Sequence, residues 1–318
     1  MSTGYRYETR GFVVFRWLVL AAGAVLVLVS LASALGRFGE LFDLVGHFRP
    51  FLLIAAVVVA GLALIVRTPA AAAVLGVVAL GHLAGLLTTP VAERREAAPA
   101  GYAARTVMTM NLLMSNDDLT SVAEAILTVS PDIVVMQEAS SKTRRIIDYL
   151  KPVYPHSYDC VQEEYCFLAI MSKEPWANVR HHKAPGFEHP FLVATYGEAD
   201  GTPFHVVGLR MFRPNPGGRQ FEYYDRLAEF AVTLTGDVLI AGDMNATPWS
   251  FAVRDLARKT DLRPMNRTLA TWPADGTALL PIDQVFISRR LVNLGLRRGA
   301  YLGSDHYPLI AEVGVPLD

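Results

Sequence analysis

Two short segments carry groups suited to acid–base and phosphate chemistry: Gly242-Asp243-Met244-Asn245 and Ser304-Asp305-His306. Each abuts an apolar, strand-like run. A carboxylate, an amide and an imidazole therefore stand on loops at sheet edges, where binding and catalysis concentrate. Further polar residues end or open other short apolar runs: Asn111 after Thr106 to Met110, Glu138 after Ile133 to Met136, and Asp283 before Gln284 to Ile287. If those strands are neighbours, carboxylates, two carboxamides and one imidazole converge on one rim. That is a hard-cation and phosphate site, because magnesium takes oxygen ligands and usually shares one or two carboxylates with substrate phosphate. Taken singly, an Asn or Asp at a strand end makes an Asx turn, and Asp305-His306 reads as a helix cap beside a core histidine. Glu138 resists such a reading, since a carboxylate ending an apolar strand is costly to bury unless it is paired or on a metal.

The elements that must position these groups follow from periodicity. Besides the three runs above, Phe167 to Met171, Leu192 to Tyr196, Phe204 to Leu209, Val238 to Ala241 and Leu309 to Val313 are β-like. Asp117 or Asn116 can cap a helix with Leu119, Val122, Ile126 and Val129 on one face, stopped by Pro131, and Phe221 to Leu234 has helical spacing. Many short strands with few helices predict two packed sheets flanked by helices rather than one doubly wound sheet.

The first ninety residues are of another kind. The chain is 52% hydrophobic and 19% charged, with a mean hydropathy of +0.29, too apolar for an ordinary soluble domain. The excess lies in three runs, Trp17 to Leu35, Phe51 to Val66 and Ala70 to Leu87, which predict about three transmembrane helices at roughly 12–35, 48–66 and 70–88. A cleaved signal peptide competes for the first run, because Arg6, Arg10 and Arg16 precede it and Ala32, Ser33 and Ala34 lie in it. Its core is longer than a signal core, and two further spans follow. His82 in the third run reads as facing a neighbouring helix or lying near an end, or as a functional intramembrane group. Residues 1–90 are thus a membrane anchor, 91–104 a linker with the Glu93 to Glu96 charged cluster, and 105–318 one domain. The positive-inside count ties, with Arg6, Arg10, Arg16 and Arg67 against Arg37, Arg49, Arg94 and Arg95. Cys160 and Cys166, the sole cysteines, read as a local disulfide in an oxidising compartment, with two free thiols in a reducing cytosol as the alternative. The disulfide reading places the C-terminal domain outside the cytoplasm, anchored in the plasma (inner) membrane.

Six segments occur in order: Met110-Asn111-Leu112, Met136-Gln137-Glu138, Ile170-Met171-Ser172-Lys173-Glu174-Pro175, Ala241-Gly242-Asp243-Met244-Asn245-Ala246-Thr247-Pro248, Pro281-Ile282-Asp283 and Gly303-Ser304-Asp305-His306-Tyr307-Pro308. Together they resemble the successive motifs of the endonuclease/exonuclease/phosphatase superfamily, over about residues 105 to 315. The resemblance implies an α/β (α+β) fold: a four-layer DNase I-like β-sandwich flanked by helices. It implies metal-dependent phosphoester hydrolysis, with magnesium (or manganese) held by Glu138, helped by Asn111 and Asp305. It also implies that Asp243 orients or deprotonates water, that Asn245 bonds a phosphate oxygen, and that His306, oriented by Asp283, stabilises the phosphorane. The implied partners are a phosphoester substrate, nucleic acid or a phospholipid or inositol phosphate, and the lipid bilayer; no protein partner is implied. The alternative is a catalytically silent, membrane-tethered phosphate-binding or scaffolding domain of the same fold.

One residue departs from the pattern. Where many family members end the strand matching Val206-Val207-Gly208-Leu209 in His or Tyr, this chain has Arg210. Arginine binds phosphate bidentately but is no general acid near neutral pH. With Arg213 and Arg219 beside the Pro214 to Gly218 loop, it reads as a phosphate-facing edge or as part of a solvated connection. Tyr223 and Tyr224 read as core or as a stacking surface. Residues 105–318 hold 21 Lys and Arg against 25 Asp and Glu, a mildly acidic balance that excludes strong nonspecific duplex binding.

Overall fold

The protein is described from a computed structural model covering residues 9–317 except 164, 184–189, 198–200 and 216–217. Arg6 and the Pro216-Gly217 part of the proline-glycine loop lie outside the described residues. The chain divides into two compact units, Met1–Thr89 with Trp249–Phe251, and Pro90–Pro248 with Ala252–Asp318.

In the first unit, Thr9 Oγ1 accepts from Phe12 N and caps α1 (Arg10–Ala34). A 3-10 turn, Gly36–Phe38, then leads into α2 (Glu40–His47), α3 (Arg49–Ile65) and α4 (Pro69–Leu87). Proline stands in the first turn of both α3 and α4, where its missing N–H costs nothing. Two helices, α1 and α4, are long and apolar enough to cross a membrane. The expected middle span is shorter: α3 has 17 residues and passes only together with α2, across a 65° bend. Proline one residue into α3 cannot continue the backbone bonding of the preceding turn, which accounts for the break. Small side chains such as Ala56, Ala63 and Ala79 are buried between the helices, while Leu18, Leu28, Ile65 and Leu80 face outward. His82 is buried, and its Nε2 meets Ser30 Oγ of α1 at 2.9 Å, the neighbouring-helix role.

The second unit is built from two six-stranded sheets. The first has the order β11-β12-β1-β2-β4-β3 and the second β5-β6-β7-β8-β10-β9. In the first sheet β1 (Tyr102–Asn111) lies parallel to β2 (Ile133–Gln137) and antiparallel to β12 (Leu309–Pro316), while β4 (Leu168–Ser172), β3 (His156–Asp159) and β11 (Val292–Arg298) fill its edges. In the second, β7 (Phe204–Arg210) lies parallel to β8 (Asp237–Asp243), flanked by β6 (Phe191–Tyr196), β5 (Asn178–His182), β10 (Asp283–Ile287) and the two-residue β9 (Arg263–Pro264). Each parallel pair is joined through a helix, α5 (Leu119–Val129) in one sheet and α7 (Gln220–Ala231) in the other. Of these central strands β2 and β8 are buried along their whole length and carry the apolar runs 133–136 and 238–241.

Three cores hold the layers together. Val107, Val135, Ile170, Val206, Leu239 and their neighbours pack between the sheets. Met108, Met136, Ile126 and Ile147 pack the first sheet under α5 and α6 (Thr143–Leu150), and Ile240, Phe286, Leu227 and Leu256 pack the second under α7 and α8 (Phe251–Thr260). The result is the expected four-layer sandwich with helices on both outer faces. Sheet-to-sheet approach is close at Gly208, where a β-carbon would stand 2.6 Å from Val135 Cγ1. The helix cap falls one residue beyond expectation: Asp118, not Asn116 or Asp117, accepts from Ser121 N. Asn116 is instead used in an Asx turn to Asp118 N, and Asp117 pairs with Lys142. Within the expected linker, Ala92 N donates to Pro264 O, and β1 already begins at Tyr102.

Candidate active site

Register brings the polar residues of the sequence to one rim. Arg210, Asp243 and Asp283 sit side by side at the ends of β7, β8 and β10, and Asn111 ends β1 opposite Gln137, the residue before Glu138. The asparagine carboxamide ties the two sheets together: its Nδ2 donates to Glu138 Oε1 at 3.1 Å and to Asp243 Oδ2 at 3.2 Å, while its Oδ1 accepts from Leu113 N. Arg210 makes a second bridge, with Nη2 2.7 Å from Glu138 Oε1 and Nε 3.9 Å from Asp243 Oδ2. That Nε is buried and makes no hydrogen bond.

Two backbones are bent to aim these groups. Glu138 has φ +53° and Asn245 φ +47°, both left-handed and both non-glycine, a conformation that costs energy and clusters at functional sites. Asn245 repays this locally, since its N–H donates to Asp243 Oδ1 at 2.9 Å and its Nδ2 to Asp243 Oδ2 at 3.0 Å and Met211 O at 2.9 Å. Gly242 has φ +154°, and a β-carbon there would collide with the Leu209 carbonyl oxygen on β7. Only glycine lets β8 deliver Asp243 at this spacing.

On the other side, His306 Nδ1 lies 2.8 Å from Asp283 Oδ2, both residues being buried. No protein group among the described residues bonds Nε2. Ser304 Oγ donates to Asn111 O and accepts from His306 N, anchoring this loop to the end of β1. Ligand atoms of Asp243, Asp283 and His306 lie within 4.8 Å of one another. Asp305 Oδ2 accepts from Trp272 Nε1 at 3.3 Å, while its Oδ1 is buried without a hydrogen-bond partner. Among the described residues, no hydrogen bond or ion pair joins Asp305 to Glu138 or Asn111. The expected metal trio is therefore not one cluster of mutual contacts.

Electrostatics sort the acids into two kinds. Burial pushes the Asp243 carboxyl up to about 6, against the pull of His306 and Arg210. Burial also raises Glu138, but the guanidinium of Arg210, the Asn111 amide and Met114 N–H together bring it below the ordinary carboxylate range. Burial disfavours the His306 imidazolium, yet Asp283 and Asp243 outweigh it and lift the group to about 10. The rim thus holds a charged imidazolium, an ionised glutamate and an aspartate titrating near neutrality, a spread of acid and base strengths typical of catalytic sites.

Several supporting residues carry no signal of their own in the sequence. Gln220 Nε2 donates to Asn245 O and Phe212 O, Thr271 Oγ1 accepts from Asp283 N, and Trp272 meets Asp305. Tyr223 and Tyr224 are core, with Tyr224 Oη donating to Met244 O. Arg213 is exposed, and Arg219 pairs with Glu222. A cavity of about 560 Å³ lined by Arg105, Ser172, Tyr196 and Phe204 sits at the opposite strand ends and contains none of the rim residues.

Paired sheets with helices outside, and a rim of carboxylates, amides and one imidazole, define the DNase I-like class of phosphoesterase architecture. The chain belongs to the Endonuclease/Exonuclease/phosphatase family, whose sequence profile matches residues 108–306. No curated protein matches it in sequence. Among solved structures it is similar to TDP2 from D. rerio complexed with single strand DNA product, with TM-score 0.57 and 12% identity over 67% of this chain and 100% of that one. SmcL gives TM-score 0.51 and 14% identity over 67% and 99%, and beta toxin from Staphylococcus aureus 0.50 and 16% over 65% and 99%. At these identities the likeness is one of fold.

Proposed function

We propose that the protein is a membrane-anchored, metal-dependent phosphoester hydrolase whose site is the rim of Asn111, Glu138, Arg210, Asp243, Asn245, Asp283, Asp305 and His306. The observation that carries this reading is the buried His306–Asp283 pair standing within 4.8 Å of Asp243. Nothing in packing calls for three buried ionisable groups at one strand edge, and burying them is costly without a compensating role.

The oxygen donors fit magnesium, with manganese the alternative. Glu138 is ionised, Asn111 adds an amide, and the orphaned Asp305 Oδ1 is a buried acceptor lacking a positive partner. A bound magnesium would supply Lewis-acid charge at a phosphoryl oxygen. The chain's own residues do the rest. Asp243, titrating near neutrality and steadied by both donors of Asn245, orients a water and takes its proton. His306, charged and fixed by Asp283 through Nδ1, donates Nε2–H to a non-bridging phosphate oxygen as negative charge accumulates. The Arg210 guanidinium, with an unsatisfied Nε–H, holds a second oxygen. Positioning and charge neutralisation of this kind supply most of the acceleration in phosphoryl transfer.

Helices α1 and α4, with the bent α2–α3 pair as a third span, support the anchor, and the Cys160–Cys166 disulfide supports an extracytoplasmic site. The test is hydrolysis by the detergent-solubilised full chain, with and without chelator, of single-stranded DNA, RNA, sphingomyelin, phosphoinositides and bis(p-nitrophenyl) phosphate. Chelator-sensitive turnover that falls by on the order of 10²–10³ in His306→Ala is expected. Failure to cleave any of the five, with Asp243→Asn and His306→Ala behaving as the parent, refutes it.

One observation favours the silent alternative: the Arg210 guanidinium already neutralises Glu138. Calorimetric titration separates the readings, because a silent domain would lose magnesium binding in Glu138→Gln with no turnover to lose.

A further inference from the structure

We propose that the cavity at the strand ends far from the rim is a second binding site, one that takes an organic ammonium ion with a short aliphatic body. The inference goes beyond the phosphoesterase reading of the rim and does not depend on it.

The cavity lies between the two sheets. It measures about 560 Å³, a size at which sites enclose small molecules. Residues of β1, β2, β4 and β12 line one side, and residues of β6, β7 and β8 the other. Strand β8 puts Asp237 in the cavity and Asp243 on the rim, about 20 Å apart at roughly 3.3 Å per residue. The two sites are therefore separate.

The walls differ from what packing alone asks. Side chains alternate along a strand, so Arg105, Ser172 and Asp237 share the inward face of Val107, Ile170 and Leu239, which belong to the core between the sheets. Inward positions of a sandwich build its apolar core. Ser172 and Asp237 are polar yet buried, so this is not a face turned to solvent. Ile133, Phe204 and Val315 supply apolar wall.

Two of the polar groups lining the cavity are left short of a partner. Arg105 Nη1 holds Glu174 Oε1 at 2.5 Å, and Arg290 Nε lies 3.6 Å from Asp237 Oδ2. Asp132 Oδ2 accepts from Thr106 N at 2.7 Å, but among the described residues its Oδ1 makes no hydrogen bond or ion pair. Tyr196 is only 8% exposed, and its hydroxyl is buried without a hydrogen-bond partner. Ser172 stands beside it, with Oγ accepting from Glu174 N. Burial holds the phenol above its ordinary range, so it stays a neutral hydroxyl that can donate and accept. Leaving such a group unpaired is costly, and a ligand donor removes that cost.

Charge selects the class of ligand. Three carboxylates and one guanidinium line the cavity, and once the two ion pairs are counted the Asp132 charge remains unbalanced. An anion is repelled there. An ammonium group supplies both the positive charge and the N–H donors that Asp132 and Tyr196 lack, the rings of Tyr196 and Phe204 attract a cation, and methylenes match the apolar wall.

Calorimetry on the full chain in detergent, with chelator present so that no metal ion contributes, tests this with 6-amino-1-hexanol, 1,6-hexanediol and 6-hydroxyhexanoate, which differ at one end group only. The amine is expected to bind on the order of tenfold to a hundredfold tighter than the diol, the size of one charge-assisted hydrogen bond, and the carboxylate more weakly than the diol. Asp132→Asn keeps an acceptor for Thr106 N and should bring amine and diol within about threefold of each other, while Tyr196→Phe removes only the hydroxyl and should weaken the amine by about threefold to tenfold. No binding of the amine, equal binding of amine and diol by the parent, carboxylate binding as tight as that of the amine, or amine binding that neither variant alters overturns the proposal.

Discussion

Replacing Arg210 by glutamine tests the electrostatic reading of the rim most directly. The guanidinium stands 2.7 Å from Glu138 and 3.9 Å from Asp243, and its side chain is 24% exposed. At an effective dielectric of about 20, unit charges at the shorter distance attract by roughly 6 kcal/mol before desolvation is deducted. Breaking one side of a buried pair costs roughly 3–5 kcal/mol, and partial exposure places this pair at the lower end, about 3 kcal/mol. For a domain of this size each kcal/mol is worth about 2–4 °C, so Arg210→Gln should lower the melting temperature of the sandwich unit by about 6–12 °C in chelator. Circular dichroism of the full chain in detergent reads it. Saturating magnesium should shrink the difference, because the ion then neutralises the carboxylates that arginine no longer reaches, and half-saturation should move to lower magnesium. Adding Glu138→Gln to the variant should recover part of the loss, the coupling expected of residues in contact. An unchanged melting temperature in chelator, or an equal drop with and without magnesium, refutes the reasoning.

Other outcomes follow from the same geometry. In kcat/KM against pH, activity should fall about tenfold per pH unit below about 6, where Asp243 gains its proton, and should decline again above about 10, where His306 loses the proton it donates. Asp283→Asn should lower kcat by on the order of 10²-fold with little change in KM and shift the alkaline limb downward, because the charge holding the imidazolium is gone; steady-state kinetics across pH separates this from simple misfolding. Gly242→Ala should destabilise the unit by more than the roughly 1 kcal/mol typical of point changes, since the β-carbon meets the backbone carbonyl of Leu209 rather than a side chain that can move. Chemical denaturation measures that loss, and Ala at the exposed Gly276, which meets nothing within 4 Å, serves as the tolerant control.

The sequence displayed the central strands and the rim because those features are local. Asn111, Glu138, Asp243 and Asp283 each end or open a short, mostly apolar strand, and such runs announce buried strands without an alignment. The edges were not legible for the same reason inverted. His156–Asp159 and Asn178–His182 are half-exposed strands of polar residues, Val292–Arg298 mixes apolar and basic positions around a bulge near Asn293, and Arg263–Pro264 is only two residues long. Helices α6 and α8 are short and strongly amphipathic with many charges, so their mean polarity hides them. At the site, left-handed backbone at Glu138 and Asn245 has no compositional mark, and the pairing of Arg210 with Glu138 joins residues of different sheets. The expected middle span reads in sequence as a straight run because hydropathy does not register a 65° bend.

The division of the rim between two sheets has a consequence for when the rim is assembled. Asn111 and Glu138 come from one sheet, Arg210, Asp243 and Asp283 from the other, and β12, which follows all eleven other strands, inserts between β11 and β1 rather than at an edge. The loop bearing His306 is held to Asn111 only once that strand has docked. A half-built chain therefore presents separate fragments of the rim and not the assembled rim. The complete rim is thus withheld until the sandwich has closed, so the topology acts as a timer on the assembly of the site during synthesis.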